Sequence, residues 1–94
     1  MKRFVITLEN STELQNKKFR EYIQKRGYGW WHWLTNIWLL VTDDNTNAAA
    51  IRDVLMVIYP DSRSLVLEIP PGHCSWANFA QKESFNWLND TWNK

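Results

Sequence analysis

The run Trp30-Trp31-His32-Trp33, followed after a short break by Ile37-Trp38-Leu39-Leu40-Val41, constrains this chain more than any other segment. Aromatic and β-branched residues at this density form strands, and the break at Leu34-Thr35-Asn36 reads as a turn, so the pair predicts a hairpin. Side chains alternate along a strand. Trp31 and Trp33 are therefore expected on one face of a sheet, with Trp30 and His32 on the other. The chain holds seven Trp in 94 residues, several times ordinary usage. A chain of this length builds one core, so residues 1–94 are expected to be a single domain. Not all of that indole surface fits beneath the helices of so small a fold.

The flanking sequence predicts what surrounds the hairpin. Phe4 to Leu8 is a short apolar, β-branched strand, broken by Asn10-Ser11-Thr12. Thr12 and Gln15 have the spacing of a capping box. Leu14, Phe19, Tyr22 and Ile23 then repeat at near-helical intervals up to Gly27, a helix-stopping residue preceded by Lys25 and Arg26. Asp43-Asp44-Asn45-Thr46 is a run of capping residues ahead of a second helix with an Ala50, Ile51, Val54, Leu55, Ile58 stripe. Ser64 to Ile69 is a further strand, closed by Pro70-Pro71-Gly72. From about 81 to 92 the spacing is helical again, with Phe85, Leu88 and Trp92 in register and Trp87 off the stripe. The order predicts an α+β fold, a ferredoxin-like β-α-β-β-α-β sandwich with an added C-terminal helix.

Composition narrows the functional classes. Eleven basic residues against ten acidic ones leave a net charge of +1, which excludes a strongly basic nucleic-acid wrapper. Charge is split along the chain, however. Residues 1–26 carry seven basic and three acidic side chains, and the remainder four and seven. Such a split steers anions, favours head-to-tail self-association, or marks a solvated helix face. A single cysteine, Cys74, excludes an internal disulfide. The lack of a membrane-length apolar run and of an export signal places the expected location in the cytoplasm, with no membrane partner.

Three readings account for the indoles. They fill the core together with the C-terminal helix; they are buried against a second copy; or they stack on nucleobases, each stack contributing roughly 1–3 kcal/mol. Carboxylates are the one plausible catalytic set, with Glu9 at the end of the first strand, Asp43 and Asp44 after the third, and Glu68 in the fourth. Two carboxylates on a shared Mg²⁺ suit phosphodiester cleavage, and Glu9 and Asp43, at opposite ends of antiparallel strands, are expected to meet only across a dimer. Asp43 and Asp44 also read simply as a helix cap. His32 reads as a half-buried imidazole, and His73-Cys74 lacks metal-ligand or nucleophile-pair spacing.

Taken together, the Trp30–Trp33 run, Ile37-Trp38-Leu39, Thr42, Ile51-Arg52-Asp53-Val54-Leu55, Ser64–Ile69, Trp76 and Phe85-Asn86-Trp87-Leu88 resemble small bacterial and phage proteins labelled SinR family. These in turn are similar to the ferredoxin-like smaller subunit of CRISPR adaptation and to VapD-type ribonucleases. The resemblance implies a ferredoxin-like homodimer. The nuclease members carry an acidic residue, usually Asp, after the first strand, and the matching position here is Glu9.

The resulting expectation is a non-catalytic homodimeric module for a nucleotide-containing ligand, a cyclic nucleotide signal or a short nucleic acid, in phage defence or counter-defence. Trp31, Trp33 and Trp38 would supply stacking faces; Lys17, Lys18 and Arg20 would hold phosphate, and no cofactor is needed. One alternative is a Mg²⁺-dependent endoribonuclease centred on Glu9. Another is a protein-binding adaptor or antitoxin.

Overall fold

A computed structural model describes residues 1–93; the expected domain end at residue 94 lies outside them. The elements are β1 (Lys2–Leu8), α1 (Glu13–Arg26), β2 (Gly29–Leu34), β3 (Ile37–Thr42), α2 (Ala48–Ile58), β4 (Ser64–Ile69) and α3 (Lys82–Trp87), which runs into a π-helical segment, Leu88–Trp92. The fold is α+β, with four antiparallel strands in the order β2-β3-β1-β4. β1 starts at Lys2, two residues before the apolar run, because Lys2 and Arg3 still pair with Thr42 and Val41.

Local signals act at the helix ends. The Thr12 hydroxyl accepts from the Gln15 amide while the Gln15 side chain accepts from the Thr12 amide, so two otherwise orphaned donors are satisfied at once. Gly27 closes α1 in the left-handed region at φ 72°, which a residue with a Cβ enters at a cost. α2 is capped by Asn47, whose side chain accepts from Ala50. The Asp43 carboxylate instead holds the Asn45 amide and the Thr46 hydroxyl, shaping the loop before the helix.

One face of the sheet carries the main core. Phe4, Ile6, Leu8, Trp38 and Leu40 meet Phe19 and Ile23 of α1, Ile51 and Leu55 of α2, and Tyr59. Phe19 packs edge-on to Trp38 at 4.9 Å between ring centroids. Leu14, expected on this stripe, is exposed. The inward position on the first turns of α1 belongs to Asn16, whose Oδ1 accepts from the buried Tyr59 hydroxyl at 2.8 Å.

The second face is built as three rows running across all four strands. The first is Leu34–Ile37–Thr7–Leu65, the second Trp31–Leu39–Val5–Leu67, the third Gly29–Val41–Arg3–Ile69. Strict alternation would not bring Trp31 and Leu34, three apart, to the same face. It is broken by a bulge between them, so His32 and Trp33 together oppose Trp38. The expected pairing of Trp30 with His32 holds, since both rings pack on Trp38; past the bulge it is Leu34, in place of Trp33, that returns to the Trp31 face. The His32 ring stacks on Trp38 at 3.7 Å, nearly parallel.

A candidate interaction face and an indole-lined edge

The segment after β4 folds back over the second face and is pinned there by Arg3. The Arg3 guanidinium donates to the carbonyl oxygens of Pro70 and Gly72, each at 2.5 Å, and to the Trp92 carbonyl at 3.2 Å. It also reaches Asn93 Oδ1 and lies over the Trp92 ring. Asn93 in turn binds the Cys74 backbone through both its amide nitrogen and its oxygen. A second pin joins α3 to β2, where the Trp31 indole N–H donates to Ser84 Oγ at 2.7 Å and Asn78 donates to the same oxygen.

Ser84, Leu88 and Trp92 point inward, each four residues from the last. That spacing is wider than an α-helix repeats, and the last turn opens to match, with the Asn93 amide bonded to the Leu88 carbonyl. Phe85, expected on the buried stripe with Leu88 and Trp92, is instead half-exposed and packs edge-on to Trp76.

Coverage of the face is incomplete. The tail seals the third row and the Trp31 end of the second. Between tail and sheet remains an apolar groove of about 470 Å³, walled by Val5, Leu39, Ile69, Trp76, Leu88 and Trp92 among others. Leu34 and a fully exposed Phe79 also border it. Beyond the groove the first row and the Leu67 end of the second are open. Leu65 is 54% exposed, Leu67 50% and Leu34 50%, all on one side of the sheet.

A second concavity of about 390 Å³ runs along the outer edge of β2, lined by Trp30, Trp31, His32, Trp33, Glu83 and Trp87. The His32 Nε2 faces the Thr35 carbonyl oxygen at 2.9 Å. Burial holds the imidazole pKa below its usual value, partly offset by that hydrogen bond and reinforced by the positive charge of Arg20.

The residues expected to bind a nucleotide do not converge. Trp38 has no exposed surface and sits in the main core, on the opposite face from Trp31. Trp31 is buried under α3, which leaves Trp33, 41% exposed at the sheet edge, as the accessible ring of the three. Lys17 and Lys18 are exposed on α1, in the layer across the sheet from the tail. Arg20 is paired with Glu13 at 2.8 Å.

Glu9 lies in an ion pair with Arg63, whose guanidinium holds the carboxyl below the ordinary carboxylate range. Among the described residues no three His, Cys, Asp or Glu side chains are grouped to hold a metal. Both Arg63 contacts fall on Glu9 Oε2, so a metal on that oxygen would have to displace a surface ion pair. Of the other carboxylates in that set, Asp43 holds the loop before α2 and Asp44 receives the N-terminal ammonium.

Arg3, Ser84, Glu83 and Phe79 are absent from the sequence-level expectation. Arg3 carries a usable signal, since it shares β1 parity with Val5 and Thr7 and so places a charge on an apolar face. No helix among the described residues is long and apolar enough to cross a membrane. No protein-family profile, curated protein or solved structure matches the chain.

Proposed function

We propose that this protein is a non-catalytic homodimeric binding module of ferredoxin-like fold with an added C-terminal helix. The element order and the β2-β3-β1-β4 sheet support the fold. The dimer rests on one observation: half-exposed Leu34, Leu65 and Leu67 continue the sealed part of the second face as an open apolar strip, with Phe79 standing free beside it. Apolar surface exposed on one side of a sheet is what an isologous two-fold contact buries. Both the strip and the groove lie on that side, so a second copy would cover them together.

Sedimentation or light scattering at high micromolar concentration tests this. The wild type should run as a dimer, and Leu65→Arg with Leu67→Arg as a monomer of unchanged helix content. A wild-type monomer overturns the dimer, and a monomer isolated with a stoichiometric second protein moves the same face to an adaptor role. A nucleotide ligand draws less support, because the cations expected to hold its phosphate lie on the other layer. Thermal-shift titration with cyclic nucleotides and short RNA should leave the midpoint unmoved.

A further inference from the structure

We propose that the groove along the outer edge of β2 binds an alkylated ammonium group, the chemistry shared by methylated lysine side chains and free quaternary amines. Four of its six lining residues are tryptophans, Trp30, Trp31, Trp33 and Trp87. Indole faces carry negative potential and attract cations more strongly than any other side-chain ring. Glu83 is the one carboxylate among the described lining residues, and neither Lys nor Arg is among them. Arg20, on the α1 side of His32, has its guanidinium on Glu13.

Two polar atoms near the rings are already committed. The Trp31 N–H is held by Ser84 and the His32 Nε2 by Thr35, and the other indole N–H groups are donors only. A phosphate would face the Glu83 carboxylate without a cation. A neutral apolar guest would leave the Glu83 charge without a partner. An alkylated ammonium satisfies both demands, presenting methyl groups to the indoles and positive charge to Glu83. The volume, about 390 Å³, falls at the small end of ligand sites, which span about 300–1,000 Å³. It is more than large enough to admit such a head group.

The test is an NMR titration that follows the indole N–H resonances, assigned by Trp→Phe variants, with tetramethylammonium, a trimethyllysine peptide, the same peptide unmodified, and a neutral tert-butyl analogue. Saturable shifts at Trp33 and Trp87 with tetramethylammonium are expected. Trp33→Ala should weaken binding by about threefold or more, as loss of one exposed cation–π contact implies, and Glu83→Gln should weaken it by removing the facing charge. Both side chains are exposed, and unchanged thermal midpoints confirm folding. Tighter binding of the trimethyllysine peptide than of tetramethylammonium identifies a modified-protein source; equal binding identifies a free amine. Shifts that do not saturate overturn the proposal, as do equal shifts with the tert-butyl analogue or indifference to both variants. The readout does not depend on oligomeric state, so it stands or falls apart from the dimer.

Discussion

Arg3 is a buried cation whose hydrogen-bond partners include three carbonyl oxygens of the returning tail, together with the Asn93 side chain. Hydrogen bonds to charged groups are the costly ones to lose, so Arg3→Met should lower stability by about 2–4 kcal/mol in urea unfolding. Detachment of the tail should appear as faster exchange of the Trp31 indole proton. Tyr59→Phe tests a second buried contact: leaving Asn16 Oδ1 without its donor should cost about 1–2 kcal/mol. His32 gives a pH signature. Its folded pKa lies below the unfolded value near 6.5, so protonation favours the unfolded chain, and its contribution is intact above that pH and lost as pH falls below it. Urea midpoints at pH 7.5 and pH 5 should differ more for the wild type than for His32→Phe, which keeps the stack on Trp38.

At the scale of elements, what announces itself in sequence is what is decided locally. Thr12, Gln15 and Gly27 mark α1 because capping and left-handed backbone are properties of a few neighbouring residues. The β2 bulge leaves no such mark, for Trp30–Trp33 looks the same with or without an extra residue opposite Trp38. Its effect is large nonetheless, since it decides which indole faces which layer and twists an edge strand that would otherwise invite pairing. The tail was legible as a helix but not in its inward face, because a small polar residue, Ser84, takes a position that periodicity assigns to Phe85. Ser84→Ala should orphan the Trp31 and Asn78 donors and cost about 1–3 kcal/mol, with α3 amides exchanging faster than those of α1.

For the molecule as a whole, the sequence carries the two-layer arrangement and the surplus of indole, but not how that surplus is divided. The tail encloses Trp31 and Trp92, the helices enclose Trp38, and Trp33 stays at the rim. Placing Lys17, Lys18 and Arg20 beside Trp31 required knowing which layer each faced, a long-range fact. Because the residues that latch onto Arg3 follow every strand in chain order, the second face of the sheet can form before its cover exists. A nascent chain would pass through a stage with Val5, Leu39, Val41 and Ile69 bare, and a truncated product would be held there. Shortening the protein after Gly72 should therefore yield material that precipitates or is captured by chaperones, rather than a smaller working version of the fold.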